Sequence, residues 1–333
     1  MKYQNTLEDN KIQCTICPRL CKLAEGRAGF CQIRENQGGN VVLTSYGYNT
    51  GLAIDPIEKK PLYHFYPGSK VLSFGTLGCN MGCLFCQNWH ITKVKADSKH
   101  LKHYPPEKIV EIAKNMGCKS VAFTYNDPVI FFEYAIDTAK ICREEGIKTI
   151  AVTAGYINPE PRKEFFAYMD AANVDLKSFS EDFYKKNCMA HLEPVLDTIK
   201  YIKQKTNCWL ELTTLLIEGE NDSSKELEAE CAWIVDNLGR NVPLHFSAFH
   251  PDYKFMNKPK TSSETLFRAY DIAKKAGLNY VYSGNIIDAA SSTTYCSSCE
   301  KPLIIRRGYE ILENKIEKGR CIYCGAKNSG LFN

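Results

Sequence analysis

Cys79, Cys83 and Cys86 lie within eight residues of one another in the stretch Val71-Leu-Ser-Phe-Gly-Thr-Leu-Gly-Cys-Asn-Met-Gly-Cys-Leu-Phe-Cys86. Thiolates are soft ligands, and three on one short loop suit an iron–sulfur cluster that leaves one iron open to a further ligand. A closed zinc site would need a fourth ligand from elsewhere in the chain. Gly75, Gly78 and Gly82 let such a loop fold tightly around whatever the sulfurs hold. Two more groups have ligand-like spacing. Cys14, Cys17, Cys21 and Cys31, separated by two, three and nine residues, suit a four-thiolate site. Its occupant is open between zinc and a second iron–sulfur cluster, which could feed electrons to the first, and free or redox-active thiols are the alternative. In the tail, Cys296, Cys299, Cys321 and Cys324 form two Cys-x2-Cys knuckles, a zinc-ribbon pattern. A module that small has no core of its own without its metal.

These ligands need a scaffold. From residue 71 onward, strand-like runs (71–76, 120–125, 148–154, 174–177, 209–217, 244–249, 280–285) alternate with helical patterns at 106–116, 129–145, 194–205, 224–238 and 264–276. Gly117, Gly146, Gly239 and Gly277 fall where the helices should stop. Repeated strand–helix units predict an α/β fold with a parallel sheet and helices packed outside it. Ligands then bind beyond the C-terminal strand ends, where the three-cysteine loop lies. Residues 1–70 read as a cysteine-containing N-terminal segment, 71–289 as the sheet domain and 290–333 as the ribbon-like tail. The loop at 54–69, rich in proline and charge, reads as solvated, with a substrate lid as the sharper alternative.

Composition narrows the class. The chain has 333 residues, 44% of them hydrophobic, and a net charge of +4, too mild a basic balance for nucleic-acid binding. No apolar run is long enough to span a bilayer. The polar, acidic start lacks the apolar core of a signal peptide, which predicts a cytoplasmic protein. Sixteen cysteines in such a protein argue for metal rather than disulfides. Cys118, Cys142, Cys188, Cys208 and Cys231, scattered singly, read as buried free thiols.

The three-cysteine loop, with Phe85 before its last cysteine, resembles that of the radical S-adenosylmethionine (SAM) superfamily. The resemblance implies a partial (β/α)6 barrel and a [4Fe–4S] cluster whose open iron is chelated by SAM. Phe123-Thr-Tyr-Asn-Asp-Pro128 stands where those enzymes carry a Gly-Gly-Glu turn. Tyr125, Asn126 and Asp127 replace that turn, and Asp127 takes the carboxylate's role toward the SAM amino group unless this is an ordinary Asn-Asp-Pro turn. Val174-Asp-Leu-Lys177 resembles the strand end at which glycyl-radical activases meet the SAM ribose and carboxylate, giving Asp175 and Lys177 those roles; an exposed charge pair is the plainer reading. Phe246-Ser-Ala-Phe-His250 likewise resembles a strand ending in a SAM-contacting histidine, with a structural role for His250 as the alternative.

Further stretches are more specific: Cys14-Thr-Ile-Cys-Pro-Arg-Leu-Cys21, Glu25-Gly-Arg-Ala-Gly-Phe-Cys31, Asp55-Pro-Ile-Glu-Lys-Lys-Pro-Leu-Tyr-His64, Cys86-Gln-Asn-Trp89 and Leu192-Glu-Pro-Val-Leu196. Together with the paired-cysteine tail they resemble the radical SAM enzymes of the AmmeMemoRadiSam system, relatives of pyruvate formate-lyase activating enzyme. That resemblance implies Memo-type and AMMECR-type partner proteins and a one-electron donor such as ferredoxin or flavodoxin. It implies reductive cleavage of SAM to a 5′-deoxyadenosyl radical that takes hydrogen from a substrate. Two rivals stand beside it: an activase that installs a glycyl radical on a partner enzyme, and a non-catalytic zinc-stabilised module that binds RNA or protein.

Overall fold

The computed structural model describes residues 2–93 and 101–332. Its centre is an eight-stranded sheet built from β1 (Leu52–Pro56), β2 (Lys70–Phe74), β3 (Ser120–Phe123), β4 (Lys148–Thr153), β5 (Ala171–Asp175), β6 (Trp209–Leu216), β7 (Leu244–Ala248) and β8 (Val281–Gly284), in that spatial order. Strands β2 to β8 are parallel, and β1 adds antiparallel to β2 at one edge. Because order in space follows order in sequence, right-handed crossovers place every helix on one face. These helices are α1 (Pro106–Asn115), α2 (Phe132–Glu144), α3 (Pro159–Phe166), α4 (Glu193–Lys205), α5 (Ser224–Leu238) and α6 (Ser263–Lys275). The strands and most helices follow the alternation predicted from sequence. β1 and α3 were not foreseen, and α2 begins later because Pro128–Phe131 forms a 3-10 turn.

Register separates the two faces of the sheet. Leu72, Phe74, Val121, Phe123, Ala172, Val174 and Leu212 pack with helix residues such as Ile109, Ala135 and Ile199 in the main core. The other face carries Val71, Ala122, Ile150 and Ala171, which pack against Ile57, Leu62 and Phe65. This inner cluster overturns both readings of the 54–69 loop: it is neither solvated nor a lid. Ile57, Glu58, Leu62, His64 and Phe65 are each fully buried, and the loop plugs the end of the sheet opposite the cysteines. Glu211, on the inward face of β6, accepts the backbone N–H groups of Tyr63 and His64 at 3.0 and 2.8 Å. His245 donates to Glu211 at 2.7 Å. An unpaired carboxylate would be costly there; four donors, with Trp209 Nε1 the fourth, make it a clamp.

The N-terminal segment forms short antiparallel strands, among them Ile12–Cys14 and the hairpin of Arg34–Gln37 with Asn40–Leu43. The tail forms a three-stranded sheet that includes Pro302–Arg307 and Glu310–Asn314. Its end returns to the plug, where Tyr66 N–H donates to Leu331 O at 2.6 Å and Leu331 N–H to His64 O at 2.8 Å. Among the described residues, no helix is long and apolar enough to cross a membrane.

Candidate active site and metal centres

The loop after β2 carries Cys79, Cys83 and Cys86, and its shape is enforced by the turn after β3. Asn126, buried, accepts from Thr76 N–H at 3.1 Å and donates through Nδ2 to Thr76 Oγ1, Leu77 O and Gly78 O at 3.0–3.2 Å. One amide side chain thus staples the approach to Cys79. The glycines are needed for close contact: a Cβ on Gly75 would stand 2.4 Å from Thr124 O, and one on Gly78, at φ +79°, 1.9 Å from Cys31 O. Tyr125 takes φ +71°, a costly conformation for a bulky residue. Asn88 Nδ2 holds its carbonyl at 2.8 Å. Its hydroxyl points inward toward Asp55, itself paired with Lys59 and Lys60 at 2.9 and 2.6 Å.

Asp127 is buried and committed within the fold. It accepts from Val129 N–H, Thr153 Oγ1 and Ala154 N–H at 2.9–3.1 Å, tying the end of β3 to that of β4. Burial pushes its carboxyl up to about 6 against those three donors. Asp175, at the end of β5, pairs with Lys177 at 2.6 Å. Burial works against the charge on Lys177, but Asp175 and the neighbouring Cys83 sulfur outweigh it and hold the lysine protonated. His250 is exposed, with Nδ1 3.2 Å from Gln87 Nε2 on the cysteine loop. Asp127, Asp175 and Lys177 therefore gather around Cys79 and Cys83, whereas Tyr125 and Asn126 shape the neighbouring turn.

Two residues that the sequence reading did not place at this site complete it. Lys93 donates to Met81 O at 2.6 Å, and its charge favours the thiolate form of all three cysteines. Cys188, expected as an inert buried thiol, sits beside Cys83 at the end of a π-helical turn, Tyr184–Cys188. Its hydrogen bond holds Cys83 below the usual thiol range. Its carbonyl and that of Asn187 accept from Gly82 and Leu84 N–H at 2.8 and 2.9 Å. Cys83 and Cys188 are 105 positions apart in sequence, which hides that pairing from any local spacing rule. By contrast, burial and then Asp127 push the Cys79 thiol up to about 12, so it binds as a thiolate only where a metal takes its proton's place.

The tail is the sharpest metal site. Cys296, Cys299, Cys321 and Cys324 bring their sulfurs within 4.8 Å of one another, the one such group among the described residues. Cys296 and Cys324 are 3.7 Å apart, Cys299 and Cys321 3.8 Å. The Ser298 and Tyr323 N–H groups donate to Cys296 and Cys321 sulfur, as metal knuckles require. These four thiols could hold a metal ion. The three loop thiols do not converge that closely, which suits a multi-iron cluster better than one ion.

A seven-strand parallel sheet with a three-cysteine loop after its first parallel strand defines the class of protein. The radical SAM superfamily profile matches residues 74–231. An uncharacterized protein of Methanocaldococcus jannaschii is 44% identical over 327 residues, covering 98% of this chain and 97% of the relative. The 4-hydroxyphenylacetate decarboxylase activating enzyme of Clostridium scatologenes is 28% identical over 131 residues, 38% of this chain and 42% of that one. In structure, a radical SAM methyltransferase from Sphaerobacter thermophilus aligns with a TM-score of 0.52 at 16% identity, covering 67% of this chain and 68% of that one. The chain belongs to the radical SAM superfamily: it is an enzyme of that superfamily, related to its activating enzymes, and the family implies a [4Fe–4S] cluster and SAM.

Proposed function

We propose that the chain cleaves SAM reductively and applies the resulting radical to a substrate held over the C-terminal strand ends. The observation that carries this reading is the Asp175–Lys177 pair set beside Cys83, on a loop that Asn126 holds rigid. When bound, the cluster and SAM supply a one-electron cleavage of the S–C5′ bond to methionine and a 5′-deoxyadenosyl radical, which takes a hydrogen atom. Cys79, Cys83 and Cys86 hold the cluster. Lys177 offers a fixed cation to the SAM carboxylate and Asp175 acceptors to the ribose, while Asp127, its oxygens taken by Val129, Thr153 and Ala154, braces the strand ends beneath them. His250 stands at the rim with Gln87. The tail thiols hold zinc: a Zn–S bond of about 2.3 Å gives a tetrahedral S···S distance of about 3.8 Å, the separation seen. We assign the enzyme to the AmmeMemoRadiSam system, with Memo-type and AMMECR-type partners and ferredoxin or flavodoxin as electron donor. The activase reading keeps one support, the similarity to an activating enzyme over 131 residues.

With dithionite, anaerobically reconstituted protein should release 5′-deoxyadenosine slowly without substrate. Lys177→Ala should keep its iron yet bind SAM about ten- to a hundredfold more weakly, the worth of one charge-assisted hydrogen bond. A wild type that never cleaves SAM, or an unchanged dissociation constant by titration calorimetry, would refute the assignment. Glycyl-radical formation on a partner enzyme, seen by electron paramagnetic resonance, would favour the activase instead.

A further inference from the structure

The N-terminal cysteines hold a different kind of site from the tail. Cys14, Cys17, Cys21 and Cys31 line one small cavity that opens partly to solvent. Arg19, Arg34, Gly29, Ile16, Leu23 and Asn80 complete its wall. All four cysteines are free, and no three of their sulfurs come within the 4.8 Å that the tail thiols meet. A single zinc ion draws its four sulfurs together to about 3.8 Å. In a [4Fe–4S] cubane each thiolate binds a different iron, so the sulfurs stand apart around a volume. The wall suits the charge of such a group. Arg34 is 3% exposed, donates to Ile130 O at 2.9 Å and pairs with Glu133. Its guanidinium is thereby fixed beside the cysteine-lined cavity, with Arg19 a second cation in the wall.

The cavity also touches the catalytic loop. Asn80, which follows Cys79, forms part of its wall, and Arg19 donates from that wall to Asn80 O. Gly78, which precedes Cys79, packs so tightly on Cys31 O that no side chain fits. The N-terminal cysteines thus lie against both chain neighbours of Cys79.

We infer that Cys14, Cys17, Cys21 and Cys31 bind a second [4Fe–4S] cluster, not zinc, placed to relay electrons to the cluster on Cys79, Cys83 and Cys86. A low-potential one-electron donor of the ferredoxin or flavodoxin class reduces the N-terminal cluster by one electron, which then passes to the catalytic cluster; no bond is made or broken. The site itself stands on geometry alone, whereas the relay rests on the proposed SAM chemistry.

Metal analysis of anaerobically reconstituted protein tests the site. The wild type should hold roughly eight iron and eight sulfide per chain, and Cys79→Ala/Cys83→Ala/Cys86→Ala should keep roughly four of each, with a paramagnetic signal on reduction. A triple variant without iron overturns the site, whether its N-terminal thiols carry zinc or remain free. Cys17→Ser/Cys21→Ser tests the relay: it should keep roughly four irons, cleave SAM normally with dithionite, and slow at least tenfold with reduced flavodoxin. Equal rates with both reductants overturn the relay. A wild type inert toward SAM whose triple variant still keeps its irons would defeat the proposed function and leave this site standing.

Discussion

Cys188 shows how one side chain outside the motif can set the behaviour of those within it. Its thiol lies beside Cys83 and favours the thiolate there, and a thiol donor next to a cluster ligand raises the reduction potential by favouring the more negative reduced state. Cys188→Ala should leave the iron content unchanged and lower the potential of the catalytic cluster, read by a dye-mediated redox titration in the Cys17→Ser/Cys21→Ser background so that one cluster reports. An unmoved potential would show that the contact does not reach the cluster. At this scale the sequence was informative where ligands are close neighbours. The paired spacing of the tail cysteines pointed to the four sulfurs that converge, because ligands on one turn repeat at fixed offsets, and the spacing of Cys79, Cys83 and Cys86 placed three thiols on one loop after a strand. Lys93 and Cys188 had no such signal, because their partners are fixed by tertiary packing; Asn126 was read as part of the turn toward SAM, and its hydrogen bonds to the cysteine loop had no sequence signal either.

At the scale of elements, strand and helix alternation was legible because parallel strands buried on both faces read as short apolar runs, and because Gly117, Gly146, Gly239 and Gly277 adopt the positive φ of helix ends. Polar groups placed inside those elements were not legible. Glu230 on α5 faces β6, fully buried, and accepts from Thr214 Oγ1 at 2.6 Å. Burial pushes its carboxyl from 4.5 up to about 8. The unfolded chain ionises this group near 4.5, whereas the folded chain keeps the proton, so its contribution is complete below that pH and is lost as pH rises toward 8. Glu230→Gln keeps a partner for Thr214 and removes the titration. Thermal unfolding should therefore show little difference between variant and wild type near pH 4.5, and a variant several degrees more stable near pH 8. A constant offset across that range would mean Glu230 does not titrate as a buried acid.

The whole molecule is held at its base by contacts between the plug and the tail. Arg306 and Glu58 are both fully buried, with Arg306 Nε 3.6 Å from Glu58 Oε1. Arg306 also donates to Tyr63 O at 2.9 Å and to Thr294 Oγ1 at 2.8 Å, and stacks its guanidinium 4.1 Å from the Tyr63 ring. Removing one partner of a buried pair strands the other charge, so Arg306→Ala should cost roughly 3–5 kcal/mol by denaturant unfolding. Glu58→Gln/Arg306→Met, which removes both charges, should cost clearly less; equal losses would show that packing rather than charge sets the penalty. None of this docking was readable beforehand. The proline- and charge-rich run at 54–69 has the composition of a surface loop, and it is taken out of water by packing on the inward face of the sheet and by the tail's return over His64.

The tail and the three-cysteine loop therefore lie at opposite ends of one sheet, and this separation gives a last test. His64 is fully buried, with Nδ1 2.7 Å from Ser329 O and Nε2 2.6 Å from Tyr282 Oη. Tyr282 Oη in turn meets Thr294 Oγ1 at 2.9 Å, just before Cys296. Burial lowers the His64 pKa to about 4, so the imidazole stays neutral: Nδ1–H donates to the carbonyl and Nε2 accepts from the tyrosine. This chain links the metal knuckles to the plug through neutral hydrogen bonds that need the tail to be folded. Cys321→Ser should release about one metal ion per chain, because binding energy is folding energy in so small a module. Amide exchange should then quicken at Tyr66 and Leu331, whose N–H groups donate to Leu331 O and His64 O and fasten the plug. Exchange at Gly82 and Leu84, bound to the π-helical turn at the far end, should not change. Iron content and dithionite-driven SAM cleavage should survive as well. Loss of iron from the loop cysteines in this variant would show that the base and the catalytic end unfold as one unit.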